Sequence, residues 1–190
     1  MENPRKIIIG ISGASGAIYG IRMLEALKKT GVESPLVISK AACITIGQET
    51  DWKVSDVTKL ADFTYNIEDI GARIASGSFK TIGMIVAPCS VKSMSEIATG
   101  VTSNLLSRAA DVVLKEHRKL VLAVREAPFH LGHLRAMTHL AEIGAIIAPP
   151  LPAFYPRPQS VDEIINHSIG RILDLFDIEM DLVKRWDGLK

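Results

Sequence analysis

Ser12, Gly13, Ser15 and Gly16 fall within five residues at the end of an apolar run, in KIIIGISGASGAIYG (6–20). The glycines allow a tight turn and close approach of the backbone to a ligand, and the serines offer hydroxyl donors. Backbone N–H groups at the start of the following helix can meet phosphate oxygens. The loop contains neither GxGxxG nor GxxxxGK[ST], and the second strand ends in Ser39-Lys40, with no acid to hold a ribose. These features weaken the dinucleotide and P-loop readings. A flavin monophosphate suits Gly13, Ala14, Ser15 and Ser39 better; the alternative is a glycine-rich turn with capping serines.

Further along, PCSVKS (88–93) offers Cys89, with Ser90, Val91, Lys92 and Ser93 behind it, after another apolar run. No histidine adjoins Cys89, so the thiol reads as a small buried neighbour of a ligand rather than a nucleophile. The four residues after it can contact a ring or phosphate, or simply start a helix. Arg125-Glu126 closes LVLAV, and an arginine there can offer a bidentate fork to a phosphate with the glutamate orienting it. Arg108, Lys115 and Arg171 taken singly are solvated cations. Glu49, in QETD, becomes an acid-base candidate if the fold brings it beside Ser15. His130 and His133 lie three apart, as do His139 and Glu142, but HLGH is not a metal-protease motif and no metal is expected.

Alternating apolar strands and helices must position these groups. Strands are expected at 6–11, 34–39, 82–88, 119–124 and 144–149, with helices at 17–29, 40–50, 103–116 and 131–143. Residues 51–78 read as loops with one or two short helices. The expected fold is α/β: a doubly wound, Rossmann-like or flavodoxin-like parallel sheet in three αβα layers. Every candidate group above from Ser12 to Glu126, apart from Glu49 and the helix cations, then lies at the carboxyl end of a strand, where such sheets bind ligands. PPLPAFYPRP (149–158) holds five prolines in ten residues and makes a stiff loop carrying Phe154, Tyr155 and Arg157. SVDEIINHSIGRILDLFDI (160–178) reads as a final amphipathic helix with a Ser160–Glu163 capping box. The chain is expected to be one domain over 1–190, with 149–190 as loop and helical arm.

Composition narrows the classes further. A net charge of +1 gives no general drive toward nucleic acid. Apolar residues are 47% of the 190, yet no run approaches the about 20 needed to span a bilayer, so no membrane is expected. MENPRK leads into fold residues rather than a signal-like segment, and two cysteines make no disulfide scaffold. The expectation is a cytoplasmic protein.

Seven separated segments, GISGASGAIYG, ETD, SGSF, PCSVKS, RAADVVLKE, REAPFHLGHLRAM and PPLPAFYPRPQS, resemble the flavin prenyltransferase family over about residues 5 to 187. The SGASG and HLGHLRAM segments resemble its ubiquinone-biosynthesis type. The resemblance implies a metal-independent enzyme that joins the dimethylallyl group of dimethylallyl monophosphate to N5 and C6 of reduced FMN, releasing phosphate. Prenylated FMN would then serve a separate decarboxylase. It also implies a homo-oligomer, a dodecamer, with sites at subunit contacts. Gly13, Ala14, Ser15, Ser39, Ser90, Val91, Lys92, Ser93 and Arg125 correspond to flavin contacts. Ser15 and Glu49 correspond to proton-handling residues, and Glu126 joins them as a catalytic candidate. Lys115, Arg125, Glu126, Tyr155 and Arg171 correspond to the prenyl-phosphate site, supported by Arg108 and closed by Trp186. Phe79 stands where some relatives carry tryptophan. An FMN-dependent decarboxylase of a cysteine-containing substrate and a non-catalytic FMN carrier are the rival readings.

Overall fold

The computed structural model describes residues 4–183 and 185–188. Met1–Asn3, Lys184, Leu189 and Lys190, which include the start of the MENPRK segment and the end of the terminal arm, lie outside them. Six parallel strands build the molecule's centre: β1 (Ile7–Ile11), β2 (Pro35–Ile38), β3 (Phe63–Tyr65), β4 (Gly83–Cys89), β5 (Lys119–Val124) and β6 (Ala145–Ile147). Their spatial order is β3-β2-β1-β4-β5-β6, the Rossmann order rather than the flavodoxin one. The order reverses between β1 and β4, so the ligand crevice of such a sheet must open beyond Ile11 and Cys89.

Side chains alternate across the sheet because the strand period is two. Ile7, Ile9 and Ile11 pack with α1 (Ala17–Leu27), α2 (Lys40–Glu49), α3 (Val54–Thr58) and α7 (Val161–Asp174). Ile8, Met84 and Val86 face the other way, against α4 (Val91–Thr99), α5 (Leu105–Lys115) and Leu140 of α6 (Leu131–Glu142). Both faces of β1 and β4 are buried throughout, which explains their unbroken apolar sequence. Burial at about 25 cal/mol per Å2 of apolar surface makes these two layers the main stabilising term.

Two local expectations are corrected. Residues 51–78 hold a helix, a 3-10 turn (Arg73–Ala75) and also the edge strand β3. FTY is three residues long and half exposed, too short to show a period. At α7, Ser160 accepts the Glu163 N–H at 3.2 Å, but the Glu163 carboxylate takes the N–H of Gln159 at 2.9 Å instead of Ser160's. The capping box is therefore opened by one residue. Ile165, Ile169, Ile172 and Leu173 of this helix are buried on the α1 side of the sheet.

Candidate active site

Four strand ends meet at a cavity of about 660 Å3, within the range that holds drug-sized ligands. Gly13, Ala14 and Ser15 line it after β1, Ser39 after β2, Ser90 to Ser93 after β4, and Arg125 with Glu126 after β5. The β5 end is set by the Arg125 N–H, which donates to the Cys89 carbonyl at 3.0 Å.

Ser12 does not offer its hydroxyl to a ligand. It is fully buried, donates through Oγ to the Pro88 carbonyl at 2.9 Å and accepts the Ser90 N–H at 2.7 Å. It thereby fastens the β1 loop to the β4 loop across the switch point. Gly13 is dictated by packing: a Cβ there would lie 2.3 Å from that of Ala41. Gly16 takes a left-handed backbone with φ of 99° at the α1 N-cap.

The helix start after this loop is not the anion site that the sequence suggests. The Glu49 carboxylate occupies it, accepting the N–H of Gly16 at 2.7 Å and that of Ala17 at 3.4 Å. A carboxylate at a helix N-terminus satisfies donors and the helix dipole together. Glu49 is thus brought alongside Ser15 in the chain, but its carboxylate bonds to the backbone beyond Ser15. It does not line the cavity.

Helix starts that do face the cavity are those of α2 and α4. Ser39 caps α2, accepting the Ala42 N–H at 3.1 Å, and Ser90 caps α4, accepting the Ser93 N–H at 3.2 Å. Their first-turn backbone, Lys40 and Ala41 in one and Val91 and Lys92 in the other, is in the cavity wall. Two positive helix ends therefore converge where α1 offers none. Arg125 is exposed and, among the described residues, forms no ion pair. Glu126 does not orient it: the glutamate accepts the N–H of Ala127 at 2.9 Å.

Sequence reasoning missed several wall residues, namely Ile67, Glu68, Ser103, Asn104 and Leu106. Ile67 and Glu68 follow the unrecognised β3, and Lys40 pairs with Glu68 at the cavity wall. Asn104 was legible as a helix cap, since it begins a full capping box with Ser107. Glu96 ties this wall together, accepting from Lys92 Nζ at 2.7 Å, Ser103 Oγ at 2.8 Å and Asn104 Nδ2 at 3.2 Å. Its burial alone pushes the carboxyl up, but these donors and the Lys92 charge outweigh that and hold it below the usual glutamate range. Lys92 therefore contributes backbone to the cavity while its ammonium turns along α4.

The other cations stand elsewhere in the chain. Arg108 pairs with Asp111 at 2.9 Å, Lys115 with Glu116 at 2.6 Å and Arg171 with Asp174 at 2.6 Å. Lys115 and Arg171 lie in the last turns of α5 and α7, which run back toward the amino ends of the strands. α7 delivers its last residues to that edge, where Lys119 Nζ meets the Leu175 carbonyl at 2.5 Å and Arg5 meets that of Phe176 at 2.7 Å. The two helices also cover opposite faces of the sheet. Within one chain, Arg108, Lys115, Tyr155, Arg171 and Trp186 are absent from the cavity wall.

Tyr155 instead bonds to His167 at 2.9 Å, with the Trp186 ring edge-on 5.8 Å away. Phe79 is buried under Arg73, whose guanidinium sits 5.4 Å from the ring centroid, and forms no cavity wall here. Cys89 is fully buried, and desolvation pushes its thiol up to about 12, which leaves no thiolate for nucleophilic chemistry. His130 caps α6 through Nδ1, accepting the N–H groups of Gly132 and His133, and stacks on His133 at 3.6 Å.

A six-stranded Rossmann-order sheet with this phosphate-suited crevice at its switch point is the architecture shared by nucleotide- and flavin-binding proteins. Residues 1–173 match the family described as Flavoprotein. The flavin prenyltransferase UbiX of Thauera aromatica is 58% identical over 183 residues, 96% of this chain and 94% of that protein. A solved structure described as AnUbiX (PadA1) with FMN and dimethylallyl pyrophosphate superposes with a TM-score of 0.98 at 47% identity, covering 99% of this chain and 100% of the other. A dodecameric FMN-dependent UbiX-like decarboxylase from Escherichia coli O157:H7 gives 0.95 at 48% identity, covering 96% and 100%. The chain belongs to the flavoprotein family and, within it, to the flavin prenyltransferases.

Proposed function

We propose that this chain transfers the dimethylallyl group of dimethylallyl monophosphate to N5 and C6 of reduced FMN, releasing phosphate and making prenylated FMN for a partner decarboxylase. One observation carries the reading: two serine-capped helix ends, Ser15 and Arg125, which forms no ion pair among the described residues, converge on one cavity of about 660 Å3. This donor set fits FMN, whose phosphate is anionic and whose ring edge is rich in acceptors. Bound reduced FMN supplies the nucleophilic atoms.

The protein's residues do the rest. Gly13, Ala14 and Ser15 let the backbone approach the flavin, and Ser39 with Ser90 to Ser93 hold it by hydroxyl and N–H donors. Arg125, at the β5 end of the cavity wall, offers its guanidinium to the flavin and to the donor's phosphate. Lys115, Tyr155 and Arg171, with Arg108 in support, stabilise the negative charge that grows on the departing phosphate. Glu116 and Asp111, the present partners of Lys115 and Arg108, are partly exposed carboxylates, whereas Arg171 shares the more buried Asp174 with Arg185. The two partly exposed pairs contribute about 0–1 kcal/mol each, so a phosphate can take Lys115 and Arg108 over at little cost. Glu49, Ser15 and Glu126 handle the proton lost at C6. Trp186 shelters the donor.

Because Lys115 and Arg171 cannot reach the cavity of their own chain, neighbouring copies complete the site. The reading is a homo-oligomer, a dodecamer like the Escherichia coli relative, acting in the cytoplasm as one FMN-binding domain per chain. Among the described residues no helix is long and apolar enough to cross a membrane.

The test is anaerobic incubation with reduced FMN and dimethylallyl monophosphate or diphosphate, followed by mass measurement of the flavin. A gain of one five-carbon unit with the monophosphate is expected. Unmodified flavin with both donors rejects the reading, and loss of carbon dioxide from a cysteine-containing substrate points to the decarboxylase instead.

A further inference from the structure

His167 is the one buried histidine of the chain's described part that no step above uses. It lies mid-way along α7, 9% exposed, with Nε2 2.9 Å from the Tyr155 hydroxyl and the two rings at 80°. Tyr155 itself is 45% exposed on the proline-rich loop, so packing alone does not fix its ring. Trp186 covers one side edge-on, and His167 makes its only side-chain hydrogen bond among the described residues.

We propose that His167 is a positioning residue for Tyr155: its Nε2–H donates to the tyrosine oxygen and leaves the tyrosine O–H free to point at the donor's phosphate. The proposal rests on the reading of Tyr155 as a phosphate ligand. The direction of the bond follows from what a phosphate needs. If the imidazole accepted, the phenol's single hydrogen would be spent on it, and only lone pairs would face the anion. If the imidazole donates, the hydrogen is free, and the phenol becomes a stronger donor through the polarised chain.

The surroundings favour a neutral imidazole with one N–H to give. Burial lowers the His167 pKa, the nearby Arg171 lowers it further, and Asp174 opposes both. Glu163, one turn earlier on α7, and Asp181 line the same adjoining cavity as His167. Arg171 follows His167 by four residues, so it stands one turn along the same helix face. A phosphate reached by Tyr155 is therefore within reach of the arginine that neutralises it.

The experiment is a double-mutant cycle read as kcat/KM for dimethylallyl monophosphate, with FMN affinity and thermal unfolding measured alongside. His167→Phe and Tyr155→Phe are each expected to lower kcat/KM about tenfold, the size of one lost hydrogen bond, without changing FMN affinity. The double variant is expected to fall no further, because both changes delete one device. His167→Gln, which keeps an N–H donor, is expected to recover most of the loss; it also serves if the phenylalanine variant does not fold. Tyr155→Phe at the wild-type value overturns the phosphate reading of Tyr155 and this proposal with it. An impaired Tyr155→Phe together with a normal His167→Phe, losses that multiply in the double variant, or no rescue by glutamine overturns the His167 proposal alone.

Discussion

The Glu49 carboxylate caps α1 by accepting the Gly16 N–H at 2.7 Å, so the helix start behind the glycine-serine loop is already filled by the protein's own anion. The capped starts of α2 and α4 are the ones left open to an anion at the cavity. Glu49 also gains a fixed place one residue from Ser15, which is where a proton-handling group would stand.

Glu49→Gln keeps an acceptor for the Gly16 N–H but removes the carboxylate proposed to act as a base. FMN affinity is expected to stay within a few-fold of wild type, while single-turnover prenylation slows by about 100-fold or more. Stopped-flow absorbance under anaerobic conditions reads the rate. An unchanged rate removes Glu49 from proton transfer.

Ser12→Ala deletes the staple between the β1 and β4 loops. The Ser90 N–H then loses its acceptor in a part-buried site, at a cost of about 1 kcal/mol. Urea unfolding of the apoprotein is expected to show that loss, with weaker FMN binding because Ser90 to Ser93 are no longer held. Ser15→Ala, at a residue that lines the cavity and whose hydroxyl makes no hydrogen bond among the described residues, is expected to leave stability near wild type.

Completion of the site by a neighbour has a direct consequence. Arg125→Ala and Arg171→Ala are each expected to be nearly inactive alone. Co-expressed chains that mix at random regain about a quarter of wild-type sites if the two arginines come from different copies. Complementation assayed on purified mixed oligomers decides this, and no recovery means that both arginines serve from one chain.

Glu96 gives the cavity wall an acid limit. Its folded pKa lies below the ordinary value of 4.5, because the Lys92, Ser103 and Asn104 bonds outweigh burial. Above 4.5 its contribution is fully present; it is lost as pH falls through the lower, folded value. Thermal unfolding from pH 6 downward is expected to show a decline starting near that point. Glu96→Gln should flatten that part of the curve and lower stability at neutral pH.

Much of this was legible in the chain. IIIGI and LVLAV had to be strands buried on both faces, because no polar residue interrupts them over lengths too short for a helix. Prolines and glycines marked the strand ends, and a parallel sheet puts those ends on one side. That alone gathered Gly13 to Ser15, Ser39, Ser90 to Ser93 and Arg125 into one crevice. β3 escaped notice since three half-exposed residues carry no pattern, and Ile67 and Glu68 escaped with it.

Sequence by itself determined the longer buried elements and the edge of the sheet at which a ligand sits, because periodicity and turn residues act locally. Only the tertiary structure decided which hydroxyls and N–H groups remain free there. Ser12 and Ser15 are equivalent in a string of letters, yet one is spent between two carboxyl-end loops and the other lines the cavity. Likewise, Lys115 and Arg171 look like partners in sequence but end on opposite faces of the sheet, since a helix returning from the carboxyl edge carries its last turn away from it. Hydrogen bonds between residues far apart in the chain are settled by packing, and no local signal reports them.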